Sequence, residues 1–232
     1  MMSLKMHFPA KLAATLLLAG LAGTAIAATS NGFANGDFES TANNGGLNFA
    51  TGWQAAPTGN PALLSDIAHS GSHAALLTVP NGFGGSTLFQ NSTIDGGLAA
   101  LGAANVGDAP VLSFWAKGDV STTGNVLFSL RYLAANGAIL ASSGNRFFQN
   151  DINPNSWTQI SFQGQAIPAG TQSMFLEMNT AVGPLLDGRA NAVYIDDIQL
   201  TLTTAAVPEP ASYALLLVGM GLIGAVSRRR QA

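Results

Sequence analysis

Four stretches of the chain alternate apolar side chains with bulky or hydrogen-bonding ones, a pattern typical of strands that bury one face. They are residues 111–117, 126–133, 157–163 and 173–178. If these strands are neighbours, five side chains share one outer surface: Trp115, Arg131, Gln159, Phe175 and Glu177. Aromatic rings suit the apolar C–H faces of sugars, and arginine, glutamine and glutamate bond hydroxyl groups. The pattern predicts a carbohydrate-binding face; the alternative is an ordinary solvated sheet face.

Residues that could support catalysis are few. The chain has no cysteine, no Gly-x-Ser-x-Gly segment, and only His69 and His73 between residues 28 and 206. Residues 70–72 (Ser-Gly-Ser) make a helix between these histidines improbable, so we do not expect them to share a metal ion. A glycosidase needs two carboxyl groups about 5–10 Å apart, and eleven acidic residues supply some such pair by chance. The sequence therefore predicts a protein that is not an enzyme.

The elements that must position these residues are short strands. Between residues 31 and 204 there is no helix-length apolar periodicity, and glycine, asparagine, aspartate and proline separate the alternating runs. The clearest runs are residues 74–79, 87–90, 111–117, 126–133, 138–142, 157–163, 173–178 and 192–203. Asn136-Gly137 predicts a hairpin. Eight to ten strands at this spacing predict a single all-β domain, a jelly-roll sandwich, over residues 28–206.

This domain is long enough to bury a core without disulfides. Trp53 and Trp157 each begin a strand after a turn, and we expect both to be core residues rather than ligand contacts. The charge balance excludes nucleic acid as a partner. Between residues 28 and 206 there are only four basic residues but eleven acidic ones, whereas a nucleic-acid-binding protein needs a basic surface.

The first 27 residues have the layout of a secretory signal peptide. Two lysines precede an apolar run, and residues 25–27 (Ala-Ile-Ala) form a small-x-small cleavage site. We expect residues 1–27 to be removed on export, with Ala28 or Thr29 as the new first residue. The alternative is a retained N-terminal anchor helix.

The C-terminal segment, residues 207–232, reads as a weak membrane stop. In order, it contains Pro208, Glu209, Pro210, an apolar stretch at 211–226, Arg228, Arg229 and Arg230. As a helix the apolar stretch would span about 24 Å, less than the roughly 30 Å of a bilayer core. It can still insert if the bilayer thins, and the arginines should then stay in the cytoplasm.

This three-part layout resembles the PEP-CTERM sorting signal of Gram-negative bacteria. The resemblance implies transient anchoring in the inner membrane through residues 211–226 and processing by a membrane exosortase near the Pro-Glu-Pro sequence. The protein would then reach the cell surface or the extracellular matrix. Such proteins are associated with exopolysaccharide production and with biofilm or floc. The alternative is an ordinary tail anchor.

The body of the chain carries a second resemblance. Its motifs are residues 35–39 (Asn-Gly-Asp-Phe-Glu), 52–53 (Gly-Trp), 70–74 (Ser-Gly-Ser-His-Ala), 112–118 (Leu-Ser-Phe-Trp-Ala-Lys-Gly), 156–158 (Ser-Trp-Thr) and 194–198 (Tyr-Ile-Asp-Asp-Ile). In this order they resemble galactose-binding-like jelly rolls, especially carbohydrate-binding modules of the family 4 and 9 type. The resemblance implies a glycan site on the concave sheet.

It also implies a structural calcium ion where the first and last strands meet. Asp37 and Glu39 are two residues apart in a predicted early strand, and Asp196 and Asp197 are adjacent in the last one. Calcium takes six to eight oxygen ligands. Glu39, Asp196 and Asp197 are therefore the candidate ligands; alternatively, these carboxylates bond backbone amides or solvent.

Together, these patterns predict an exported surface or matrix protein that binds or organises extracellular polysaccharide. The alternative is a structural matrix protein with no sugar site that assembles through protein contacts.

Overall fold

The structure is a computed structural model that describes residues 32–44, 47–56, 59–94 and 96–203. The predicted signal peptide and the C-terminal segment lie outside these residues. Within the described part, no helix has the length and apolar character needed to span a membrane.

Strands make up nearly all the regular structure of the described residues. They are β1 (Thr41–Asn44), β2 (Leu47–Ala50), β3 (Gln54–Ala55), β4 (Asn60–Pro61), β5 (Leu63–Ser65), β6 (Ala74–Val79), β7 (Gly84–Asn91), β8 (Ala109–Asp119), β9 (Gly124–Leu133), β10 (Ile139–Ser142), β11 (Arg146–Phe147), β12 (Thr158–Gln163), β13 (Ser173–Val182) and β14 (Asn191–Thr203). One 3-10 turn covers Ala103–Asn105. All eight predicted runs coincide with strands. The hairpin at Asn136-Gly137 is also confirmed, since it joins β9 to the antiparallel β10 with Gly137 at a φ of 80°.

The strands form two stacked sheets and a separate β1–β2 hairpin. The large sheet has the order β10-β9-β13-β7-β3, with β11 beside β9 and β4 beside β7. The small sheet has the order β12-β8-β14-β6-β5. Every pairing is antiparallel except that of β4 with β7. From β6 to β9 and from β12 to β14, successive strands alternate between the two sheets. This all-β arrangement is the predicted jelly-roll sandwich.

Alternation along the strands builds the core between the sheets, because successive side chains of a strand point to opposite faces. The inward rows include Leu112, Phe114 and Ala116 of β8 and Met174, Leu176 and Met178 of β13, all fully buried. Aromatic rings fill the centre. The Phe114 ring lies 5.6 Å from that of Phe128 and 5.2 Å from that of Phe148.

The segment before β1 runs beside β14. The amide of Gly32 donates to the carbonyl oxygen of Leu200 at 2.7 Å, and the amide of Ile198 donates to that of Gly36 at 2.8 Å. A side chain on Gly36 would overlap the Ile198 carbonyl, so glycine is required there. The N-terminal segment and the last strand therefore meet as expected.

Trp53 is a core residue, as predicted. It is 1% exposed, and its indole N–H donates to the carbonyl oxygen of Asn35 at 2.8 Å. The prediction that Asp37 and Glu39 lie on a strand is wrong. Asp37 is in a turn and Glu39 in the irregular segment before β1, because Asn35 and Phe38 adopt positive φ angles that bend the chain.

Replacing Phe114 with alanine should lower the free energy of unfolding by about 3–5 kcal/mol, because the change removes a buried ring from a close-packed aromatic cluster. Urea denaturation measures this. The matched control is Phe83→Ala, whose ring is 82% exposed; its effect should stay within about 0.5 kcal/mol. Equal losses for the two variants would contradict this description of the core.

Candidate functional site

The five residues predicted to share one face are divided between the two sheets. Arg131 on β9 and Phe175 and Glu177 on β13 belong to the large sheet, whereas Trp115 on β8 and Gln159 on β12 belong to the small sheet. The prediction of a single surface is therefore wrong. Alternation shows which side chains point outward, but it does not show which strands are neighbours.

Three of the five do meet on the outer side of the large sheet. Arg131 lies directly opposite Phe175 in the β9–β13 pairing. Its Nη2 donates to Oε2 of Glu177 at 2.8 Å, and its guanidinium carbon lies 5.7 Å from the centre of the Phe175 ring. Such a half-exposed ion pair adds little stability. It does hold both charged groups in defined positions beside an aromatic ring.

The structure adds three residues from β7 and β13 that the sequence analysis did not include. Phe89 lies opposite Glu177, and its ring is 5.6 Å from that of Phe175. Asn91 lies opposite Phe175, and Asn179 lies opposite Thr87 in the same pairing. The alternation of Thr87, Phe89 and Asn91 was the available signal. The large-sheet face is defined here as Phe89, Asn91, Arg131, Phe175, Glu177 and Asn179.

A cleft of 410 Å³ continues this face towards the β9–β10 hairpin. Its lining includes Asn91, Leu133, Gln172 and Ser173. The Nδ2 of Asn91 donates to Oγ of Ser173 at 3.2 Å. Aromatic, amide and hydroxyl groups thus line one continuous, partly concave surface.

On the small sheet, Trp115 is covered by a histidine. The ring of His69 stacks on that of Trp115 with 3.9 Å between centres and 13° between planes. Trp157 meets His69 edge-on at 5.6 Å. One face of the Trp115 ring is therefore closed to a sugar. Trp157 is half-buried against this stack, outside the core in which we expected it.

The carboxylate of Asp197 contacts the side chains of both His69 and Ser70. The Nδ1 of His69 lies 2.6 Å from Oδ2 of Asp197, and Oγ of Ser70 donates to Oδ1 at 2.7 Å. A catalytic serine would instead hydrogen-bond to the histidine that acts as its base. These three residues therefore do not form a nucleophile–base chain.

Two further carboxylates hold the backbone of the loop at residues 69–73. Oδ2 of the fully buried Asp196 accepts the amides of His69 at 2.7 Å and Ser70 at 3.1 Å. Oε1 of Glu39 accepts two more amides of this loop, those at positions 72 and 73, each at 2.7 Å. Burial raises the pKa of Asp196 to about 6 despite its amide donors. The two amides lower the pKa of Glu39.

The calcium prediction places an ion among these carboxylates. Oε1 of Glu39 and Oδ2 of Asp196 each accept two amides. Oδ1 of Asp196 accepts the amide of Asp197 at 2.7 Å, and Oε2 of Glu39 lies 3.5 Å from Nδ1 of His73. A cleft of 280 Å³ between the N-terminal segment and β14 is lined by Asp37 and Asp197. No three acidic, histidine or cysteine side chains of the described residues come close enough to share an ion. Calcium binding by Glu39, Asp196 and Asp197 stays a prediction.

Comparison with known proteins identifies the C-terminal segment. Residues 206–231 match the family described as the PEP-CTERM protein-sorting motif. The chain carries a PEP-CTERM sorting signal. This confirms the resemblance drawn from Pro208, Glu209, Pro210 and the arginines at 228–230. The signal marks an exported protein that an exosortase sorts.

Solved structures resemble the body of the chain in fold. The enzymatically active domain of tailspike protein 4 of bacteriophage CBA120 is 18% identical with a TM-score of 0.52; the match covers 75% of this chain and 22% of that domain. The CBM22-1 xylan-binding domain of Paenibacillus barcinonensis Xyn10C is 15% identical with a TM-score of 0.44, covering 77% of this chain and 94% of that domain. TmCBM61, solved with β-1,4-galactotriose, is 16% identical with a TM-score of 0.44 and coverages of 73% and 97%. No curated protein sequence matches this one.

The charge of Glu39 should stabilise the protein in a pH-dependent way. Because the folded-state pKa of Glu39 is lowered from 4.5, its contribution is complete above pH 4.5 and is lost as the pH falls through the lowered pKa. Glu39→Gln should therefore reduce the Tm by a few degrees at pH 7, and this difference should shrink at pH 3. Asp151→Asn, an exposed control, should change little at either pH. A difference that persists at low pH would contradict this role.

Calcium binding predicts a Tm that depends on the ion. Calcium at 100 times its Kd should raise the Tm by roughly 5–10 °C, and EDTA should reverse the change. Glu39→Gln should remove this response. If neither calcium nor EDTA changes the Tm of the wild-type protein, the calcium prediction is wrong.

Proposed function

We propose that this protein is sorted by an exosortase and then binds or organises extracellular polysaccharide through its large-sheet face. Residues 1–27 direct export across the inner membrane of a Gram-negative bacterium. The apolar stretch at 211–226 anchors the chain transiently, with the arginines at 228–230 in the cytoplasm. Processing near residues 208–210 delivers the domain to the cell surface or to the matrix of a biofilm or floc.

One observation carries the binding part of this proposal. The rings of Phe89 and Phe175 lie 5.6 Å apart on the outer side of the sheet, next to the Arg131–Glu177 ion pair. Neither ring is in the core between the sheets. Two adjacent rings can cover the apolar face of a sugar, while the guanidinium and carboxylate bond its hydroxyl groups.

The charge of the face favours a neutral polysaccharide. Its one cation, Arg131, and its one anion, Glu177, are bonded to each other. The other hydrogen-bonding groups of the face are the amides of Asn91 and Asn179. A ligand with many carboxylates would find no unpaired cation here. Uncharged hydroxyl groups would find both donors and acceptors.

We propose binding without cleavage. The reducing ends of a bound polysaccharide should then remain constant at high protein concentration. A steady increase with time would identify a hydrolase.

The alternative function, assembly through protein contacts, is favoured by a separate observation. Ile139, Leu140 and Phe147 lie along the β10–β11 margin of the large sheet and are 58%, 42% and 55% exposed. Apolar side chains grouped at a margin are typical of protein interfaces. Under this alternative, Phe147→Ala would weaken self-association, and no polysaccharide would be retained.

Affinity electrophoresis through gels containing xylan, hydroxyethylcellulose, galactan or the anionic alginate tests the main proposal. At least one neutral polysaccharide should retard the protein more than alginate does. Phe175→Ala and Phe89→Ala should each weaken this retardation about tenfold or more, as for other central aromatic contacts. Phe83→Ala, which removes an exposed ring elsewhere, should have no effect. Equal mobility of all variants in all gels would contradict the proposal.

A further inference from the structure

The outer side of the small sheet carries a regular array of uncharged polar side chains. In the β12–β8 pairing, Ser161 lies opposite Ser113. In the β8–β14 pairing, Gln199 lies opposite Ser113 and Thr201 opposite Val111. The small-sheet grid is defined here as Ser113, Gln159, Ser161, Gln163, Gln199 and Thr201. It spans three adjacent strands, and Val111 and Trp115 complete its rows.

The groups of this grid are free to bind. Gln159, Ser161, Gln163 and Gln199 are exposed. Within the described residues, no side chain of the grid makes a hydrogen bond. The nearby carboxylates differ, since Asp196 and Asp197 both accept hydrogen bonds from the loop at residues 69–73. The grid therefore offers unpaired amide and hydroxyl groups without a net charge.

The chemistry of the grid fits a polysaccharide better than a protein or an ion. Neighbouring strands lie about 4.8 Å apart, and side chains on one face repeat about every 7 Å along a strand. Amides and hydroxyls at these intervals present alternating donors and acceptors to a surface of hydroxyl groups. An apolar partner would find little to cover, and the six residues of the grid carry no charge that would attract an ionic one.

Two further features mark the borders of the grid. The stack of Trp115, His69 and Trp157 stands at one end, where its rings form an aromatic wall. A cleft of 360 Å³ lies along β12 and is lined by Gln159, Ser161 and Asp151. The grid thus lies between an aromatic border and an open cleft.

We propose that the small-sheet grid is a second binding surface for neutral polysaccharide, so that one molecule bridges two polysaccharide chains. The grid and the large-sheet face lie on opposite outer sides of a two-sheet sandwich. Stacked sheets are about 10 Å apart, and their outer surfaces face away from each other. One extended chain cannot contact both without wrapping around the domain. The bridging, but not the grid itself, rests on the proposed function of the large-sheet face.

The test measures bridging separately from binding. The full-length protein is titrated into xylan and into hydroxyethylcellulose while light scattering is recorded, with affinity electrophoresis of the same samples. Wild-type protein should increase the scattering, with a maximum at an intermediate ratio of protein to polysaccharide. The double variants Gln159→Ala/Gln199→Ala and Phe89→Ala/Phe175→Ala should each remain retarded in the gel. Each should lose the scattering maximum, because each variant keeps only one binding surface and bridging needs two.

Controls distinguish loss of the grid from other effects. Gln165→Ala, an exposed glutamine outside the grid, should scatter like wild type, and all variants should unfold at the wild-type urea concentration. Combining the grid substitutions with Phe89→Ala/Phe175→Ala should weaken binding on the order of tenfold relative to the grid variant alone.

The outcomes separate the two proposals. Wild-type retardation without a scattering maximum, or an undiminished maximum in the grid variant, would overturn bridging and leave the proposed function intact. Equal scattering without polysaccharide would show self-association and would also overturn bridging. If the Phe89/Phe175 variant still binds and the grid variant does not, the grid is the principal site and the proposed function of the large-sheet face fails. No retardation by any neutral polysaccharide would remove both proposals.

Discussion

The surfaces of this protein follow from the alternation of side chains in a two-sheet sandwich. Each long strand, such as β8 or β13, commits one row of side chains to the core. Its other row must then point away from the molecule, because successive side chains of a strand face opposite ways. A jelly roll therefore has two outer faces, and their chemistry is set by the residues between the buried ones. In this chain one face is aromatic with a single ion pair, and the other is rich in amides and hydroxyls.

The last strand departs from this alternation at one point. The pairing of β14 with β8 changes register between Asp196 and Gln199, and Asp197 adopts a φ of 50°. Because of this bulge, two consecutive aspartates bond to different parts of the loop. Asp196 is buried and accepts backbone amides, whereas Asp197 bonds to the side chains of His69 and Ser70. The strain at Asp197 is offset by the hydrogen bonds that both carboxylates accept. The result is a loop that these two carboxylates hold over Trp115.

Alternation and turn residues were enough to predict the long strands, because eight runs of four to twelve residues carry a clear period of two. The strands β3, β4 and β11 have two residues each, too few for any periodicity to be read. The alternation could not show which strands share a sheet, since this depends on which strands pair over long distances in the sequence. For this reason Trp115 and Arg131 were both correctly placed outward but wrongly placed together. Phe89 could have been found from its alternation with Thr87 and Asn91, whereas the stacking of His69 on Trp115 depends on the bulge.

The few charged side chains in the body of this protein are largely used within the fold. Charged residues are 9% of the sequence, and several of those in the described residues are tied into the fold. Arg189 binds Asp119 and Asp187 at 2.9 and 3.0 Å, Arg131 binds Glu177, and Glu39 accepts loop amides. Ions used in this way are unavailable to attract an ionic ligand. Because these charged side chains are paired within the protein, both outer faces are close to neutral. A neutral face rich in hydrogen-bonding groups suits a hydrated, uncharged polymer on either side of the sandwich.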